Sequence, residues 1–150
     1  MTLQTAAPLL IKPLAFLLAA APLAIENLRT GAITNANNAI LLAAGLGVLV
    51  LGPTLGMGAF QLPPLSPWLL VALLPFVMWA LKWVGGGAAK FLIALLPWFS
   101  PGEYLAVVSI GFLLAGIVGQ ARRSKVVQIA PPMVLIGLLV QAAGAAARLR

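Results

Sequence analysis

Polar residues that could carry chemistry are few in this sequence, and they fall in two short segments. We call residues 26–35 (ENLRTGAITN) the elbow segment and residues 85–90 (GGGAAK) the glycine segment. The chain has no cysteine and no histidine, which excludes disulfides, thiolate chemistry and the commonest metal ligand. Its only acidic residues are Glu26 and Glu103. We therefore expect neither a metal site nor a cofactor.

The elbow segment follows an apolar stretch and is rich in side chains that form local hydrogen bonds. Arg29 and Glu26 could pair there at a membrane interface. Asparagine is a good residue for the start of a helix, and three asparagines precede the next apolar run: Asn35, Asn37 and Asn38. Taken alone, this composition favours a solvated loop that ends in a helix cap.

The glycine segment places three glycines before a short apolar run. Such glycines allow backbone amides to point at an anion, or allow another chain to approach the backbone closely. A flexible interfacial hinge is an equally good interpretation of the segment alone. The segment is not a phosphate-binding P-loop, because no serine or threonine follows Lys90.

Composition indicates the elements that must position these segments. Hydrophobic residues make up 63% of the 150 residues and charged residues 7%, whereas soluble domains have about 25% charged residues. The mean hydropathy is +1.12. We therefore predict an all-α polytopic membrane protein in contact with lipid. The net charge of +7 is scattered between apolar runs, so we expect no nucleic-acid partner.

Apolar runs predict about six transmembrane helices, the fourth of them short, in one integral membrane domain of residues 1–150. The predicted segments are Pro8–Ile25, Ala39–Leu55, Pro67–Val84, Ala88–Phe99, Tyr104–Val118 and Ile129–Ala146. Four tryptophans lie near the ends of these segments, which is typical of an aromatic belt at the membrane interface. They are Trp68, Trp79, Trp83 and Trp98.

Basic residues predict the orientation of the chain. Six of them fall on the side of the elbow and glycine segments: Arg29, Lys82, Lys90, Arg122, Arg123 and Lys125. Three fall on the other side: Lys12, Arg148 and Arg150. Because cytoplasmic ends carry the excess of Lys and Arg, both termini are predicted on the outer or periplasmic side.

Together, the two segments resemble the signature motifs of the type IV prepilin peptidases, especially the compact form of tight-adherence pilus systems. In that family, Asp-Leu-Arg-x-x-x-Ile-x-Asn ends the first helix and Gly-x-Gly-Asp-x-Lys begins the fourth. This chain retains seven of the motif residues: Leu28, Arg29, Ile33, Asn35, Gly85, Gly87 and Lys90. A family-like turn, residues 98–101 (WFSP), follows the fourth segment. The resemblance implies a prepilin-peptidase-like bundle in a bacterial or archaeal cytoplasmic (inner) membrane.

The resemblance also implies aspartic endopeptidase chemistry, in which two carboxylates share one proton and activate water. Here the two aspartate positions hold Asn27 and Ala88. Glu26 is one residue away from the first position, about 100° around the helix, and Glu103 is predicted on the opposite side. We therefore expect this chain to be catalytically inactive.

Two origins of this loss remain open, an inactivated peptidase or a natural pseudopeptidase. Different replacements at the two positions favour natural loss. The partners expected are lipid and prepilin-like helices. The alternative is a structural or accessory subunit of a larger membrane complex. A transporter is disfavoured, because Lys12 is the only ionisable residue deep in a predicted helix.

Overall fold

Six α-helices form the protein in the computed structural model, which describes residues 3–54, 65–121 and 127–148. They are α1 (Leu3–Thr30), α2 (Asn35–Leu51), α3 (Leu65–Ala80), α4 (Gly86–Leu95), α5 (Pro101–Ala121) and α6 (Ala130–Arg148). A 3₁₀ turn, Leu96–Trp98, continues α4. The described residues contain no β-strand, so the prediction of an all-α protein is confirmed for them.

Three of the six helices are long and apolar enough to cross a membrane, at Leu10–Thr30, Pro101–Ala121 and Ala130–Ala147. The other three apolar helices are shorter. Large apolar side chains lie on the outside of the bundle, with Leu18 76% and Leu70 72% exposed. Lipid is the solvent that such a surface requires.

The helix ends differ from the predicted ones where polar residues continue a helix. The first helix was predicted to end at Ile25, but α1 runs on to Thr30. The second was predicted to begin at Ala39, but α2 begins at Asn35. Both extensions draw polar residues of the elbow segment into helices, because their side chains find hydrogen-bond partners there.

Packing places α1 between α2 and α6, α5 against α6 and α3, and α4 against α2 and α3. An aromatic cluster lies where α1 meets the turn after α4. The ring of Phe16 is 5.2 Å from that of Trp98 and 5.3 Å from that of Phe99, both edge to face. All three side chains are fully buried.

The aromatic-belt prediction is wrong for Trp98. Its Nε1 donates to the carbonyl oxygen of Leu41 at 3.0 Å. Gly45 makes this contact possible, since a Cβ there would lie 2.6 Å from Nε1 of Trp98. Trp79 and Trp83 are 56% and 71% exposed, as residues of a belt would be.

Helix α3 ends with a cap, and helix α5 begins with one. Lys82 adopts a left-handed conformation, φ 60°. Its N–H donates to the carbonyl oxygen of Trp79, and the N–H of Trp83 donates to the carbonyl oxygen of Met78. Together these features form a Schellman motif. At the start of α5, Ser100 N–H donates to Oε2 of Glu103 at 2.8 Å.

Of the basic residues used for orientation, Arg122, Arg123, Lys125 and Arg150 lie outside the described residues.

Candidate functional site

The elbow and glycine segments meet at one end of the bundle and enclose an open cleft of about 750 Å³. We call it the motif cleft. Asn27 and Ala88, the two positions of the family's aspartates, both line it. Phe112 and Gly116 of α5 and Ile129, just before α6, complete its walls.

Direct contacts hold the two segments together. Nζ of Lys90 donates to Oδ1 of Asn35 at 2.8 Å, and Nδ2 of Asn38 donates to the carbonyl oxygen of Gly87 at 3.2 Å. A Cβ at Gly87 would lie 2.9 Å from the carbonyl oxygen of Ile33. Close approach of the elbow segment of the same chain therefore accounts for Gly87, which the sequence interpretations of an anion, another chain or a hinge did not include.

Asn27 is buried at the end of α1, 3% exposed. Its Oδ1 accepts from the N–H of Ala130 at 3.3 Å, and its Nδ2 donates to the carbonyl oxygen of Ala32 at 3.4 Å. A backbone N–H only donates and a carbonyl only accepts, so these partners fix the orientation of the amide. The side chain therefore connects the end of α1 to the elbow segment and to the start of α6.

The elbow segment is organised by Glu26. Its Oε2 accepts from Thr34 N at 3.2 Å, from Thr34 Oγ1 at 3.1 Å and from Asn37 Nδ2 at 2.8 Å. The predicted ion pair with Arg29 is absent from the described residues, where Arg29 is exposed. The carboxylate instead closes the turn from α1 into α2.

The asparagine cap predicted for α2 is also wrong. The capping residue is Thr34, whose Oγ1 accepts from Asn37 N at 3.4 Å. The three asparagine side chains bind elsewhere: Asn35 to Lys90, Asn37 to Glu26 and Asn38 to Gly87. They connect the first turn of α2 to α1 and α4.

Ala88 is half-buried in the first turn of α4 and offers only a methyl group. Gly85 precedes the helix and has no side chain, so no side-chain cap accepts a hydrogen bond from the backbone N–H groups of the first turn. The described lining of the motif cleft contains no ionisable side chain. Amide and backbone groups can bind a polypeptide there, but the lining offers no acid or base.

Sequence reasoning missed two contributors to the site. Asn38 belongs to the α2–α4 contact, and no pattern in the sequence connects it to Gly87, 49 positions away. Gln128 donates from Nε2 to the carbonyl oxygen of Leu28 at 3.0 Å, a second link between the end of α1 and the residues before α6. A glutamine after a basic run carries no signal of that contact.

Comparison with protein-family models, with curated proteins and with solved structures found no match. The resemblance to the prepilin peptidases thus depends on sequence motifs alone.

Proposed function

We propose that this chain is a membrane protein of the prepilin-peptidase type that binds a prepilin-like segment in the motif cleft without cleaving it. The observation that carries the proposal is the position of Asn27 and Ala88 on the walls of one cleft. They belong to helices far apart in the chain, and their convergence is what a paired-aspartate site would require.

The chemistry of the lining supports binding without hydrolysis. A peptidase of this type needs one group that takes a proton from water and one that donates a proton. The amide of Asn27 does neither, and the methyl group of Ala88 has no proton to exchange. Glu26, the nearest acid in sequence, uses its carboxylate to hold Thr34 and Asn37.

The hydrogen bonds of Asn27 favour a natural pseudopeptidase over an inactivated enzyme. The amide donates to Ala32 and accepts from Ala130 at the same time. An ionised aspartate could keep only the second bond and would face the carbonyl oxygen of Ala32. The two bonds therefore support, among the two origins, a natural pseudopeptidase.

The proposal includes a multi-pass arrangement in a bacterial or archaeal cytoplasmic membrane, with the motif cleft toward the cytoplasm. Three helices with the length and hydropathy of membrane spans support it. So do exposed cations around the cleft, where Arg29, Lys82 and Lys90 lie in or beside the two segments. An excess of such residues marks cytoplasmic ends.

A binding experiment tests the proposal. The chain in lipid nanodiscs is titrated with a fluorescent prepilin-type peptide, a short leader followed by an apolar helix. We expect saturable binding that Ala88→Trp weakens at least tenfold by filling the cleft. Ala36→Trp, at an exposed position in the first turn of α2, is the matched control. Equal affinities of the two variants, or no binding by the unaltered chain, would contradict the proposal.

A cleavage experiment tests the loss of catalysis. The unaltered chain and the double variant Asn27→Asp/Ala88→Asp are incubated with a full-length prepilin, and leader release is followed by mass spectrometry. We expect no release by the unaltered chain, and its cleavage of the prepilin would refute the proposal. Efficient cleavage by a folded double variant would identify an inactivated peptidase, and its absence a natural pseudopeptidase.

A further inference from the structure

Three exposed cations lie beside the motif cleft without being part of its lining. Arg29 lies in the last turn of α1, Lys82 follows α3, and Lys90 lies in α4. Each is one or two positions along the chain from a residue that lines the cleft. We call these three residues the cleft cations. Elements far apart in the sequence thus bring their positive charges to one opening.

The acidic residues of the chain leave these charges largely unbalanced. Oε2 of Glu26 is held by hydrogen bonds from the start of α2 and the residue before it, so Glu26 offsets at most one of the three charges. Glu103, the other acid, lies in the first turn of α5, about 20 Å along that helix from Gly116 at the cleft. Nζ of Lys90 donates to a neutral amide, that of Asn35. A net positive charge therefore remains beside the cleft.

Exposed tryptophans indicate the depth at which this charge lies in a membrane. Trp79 and Trp83 are 56% and 71% exposed, and tryptophan side chains at such positions favour the level of the lipid headgroups. Lys82 lies directly before Trp83, and Trp83 itself lines the motif cleft. The opening of the cleft and the charge beside it therefore lie at headgroup depth.

We infer that the cleft cations bind the phosphate group of an anionic phospholipid, such as phosphatidylglycerol, at the opening of the motif cleft. Basic residues beside membrane-spanning helices attract anionic headgroups. A zwitterionic headgroup carries its own cation, which opposes the attraction. The inference goes beyond the binding of a peptide and requires none, so that either proposal can fail while the other stands.

Quenching of tryptophan fluorescence by brominated lipids tests the inference. In a Trp68→Phe background the exposed tryptophans are Trp79 and Trp83, both near the cleft cations, because Trp98 is fully buried. The chain is placed in vesicles of phosphatidylcholine and phosphatidylglycerol, in which one lipid or the other carries bromine close to the headgroup. We expect phosphatidylglycerol to be favoured beside these tryptophans by about fivefold or more, the contribution of one cation near a membrane surface. Equal quenching by the two lipids would overturn the inference.

Variants assign the preference to the cleft cations. Arg29→Gln and Lys82→Gln should each weaken it about threefold to fivefold, and both side chains are exposed, so the Tm should stay unchanged. Arg148→Gln removes a cation at the far end of α6 and should keep the preference. A preference that survives the double variant Arg29→Gln/Lys82→Gln would refute the role of the cleft cations.

A salt comparison separates a lipid headgroup from a free anion. Sodium chloride should weaken the preference, because it shortens the distance over which exposed charges act. Inorganic phosphate at the same ionic strength should weaken it no more than chloride does. Stronger displacement by phosphate would show a site for free anions and would contradict binding of a lipid.

Discussion

An amide at position 27 donates one hydrogen bond and accepts another, which neither a carboxylate nor an apolar side chain could do. Asn27 satisfies one backbone donor and one backbone acceptor while almost wholly buried. These two groups belong to Ala130, the first residue of α6, and to Ala32 in the turn after α1. At the residue scale, the position that would carry catalysis in a peptidase carries structure here.

Asn27→Asp should destabilise the protein at neutral pH by about 1–3 kcal/mol, the cost of leaving a buried acceptor unsatisfied. The loss should shrink at acidic pH, where a protonated carboxyl group can donate to the carbonyl oxygen of Ala32. Thermal unfolding in detergent at several pH values measures both effects. Asn35→Asp is the matched control, since Asn35 is exposed and its partner is the cation of Lys90. A loss that is the same for both variants would contradict this role of Asn27.

The sequence identified where the polar residues of the site lie, but it could not assign partners to them. Asn35, Asn37 and Asn38 look alike in the sequence, and all three are reasonable helix caps. Their actual partners lie on two other helices, Glu26 on α1 and Gly87 and Lys90 on α4. Only the packing of α1, α2 and α4 determines these partners. Trp98 was misplaced for the same reason, because nothing local distinguishes a buried tryptophan from an interfacial one.

Close contact between the turn after α1 and the start of α4 sets the shape of the motif cleft at the element scale. Two adjacent glycines of α4 differ in what surrounds them. A Cβ at Gly87 would lie 2.9 Å from the carbonyl oxygen of Ile33, whereas one at Gly86 would meet its nearest neighbour, Nε1 of Trp79, at 3.9 Å. Only Gly87 is therefore required for the approach of the two segments.

Gly87→Ala should lower the free energy of unfolding by about 1–3 kcal/mol, because the elbow segment must move away from α4. Gly86→Ala should leave it unchanged or raise it by up to about 1 kcal/mol, since alanine favours helix. Denaturant unfolding of both variants makes the comparison. An unaffected Gly87→Ala variant would show that the two segments can separate freely.

The start of α5 is fixed by a capping box that the sequence displays as residues 100–103 (SPGE). Ser100 and Glu103 bond each other's backbone N–H groups, and Pro101 occupies the first helical position. Ser100→Ala should therefore cost about 0.5–2 kcal/mol. Ser109→Ala, exposed in the middle of α5, should change stability by less than about 0.5 kcal/mol. Thermal unfolding distinguishes the two, and equal effects would contradict the cap.

Apolar runs predicted the order of the six described helices, because hydropathy is a property of the sequence itself. Only three of the six have the length and hydropathy of a membrane span, so the prediction of about six transmembrane helices is confirmed only in part. They did not predict that α1 continues through Glu26 and Asn27. That extension depends on partners in α2 and at the start of α6, which no local pattern reveals.

At the scale of the whole molecule, the apolar surface and the three long helices make the chain a membrane protein. Because the chain has no cysteine, cysteines introduced one at a time can test the proposed orientation. A single cysteine at Thr30, beside the motif cleft, should react with an impermeant thiol reagent only from the cytoplasmic side. One at Gly102, exposed at the start of α5, should react only from the outside. Labelling of both from one side would contradict the orientation.

The short length of α4, ten residues with a 3₁₀ turn after them, affects how a guest polypeptide would reach the motif cleft. They extend about 21 Å, whereas the 21 residues of α5 extend about 31 Å. Gly116 lines the motif cleft, and α5 continues beyond it to Ala121, so the cleft is a recess below the tip of α5. A polypeptide that reaches it would exchange hydrocarbon for protein walls before it met bulk water. Selection of a guest would then depend on whether its backbone polar groups find hydrogen-bond partners in the cleft more than on its charge.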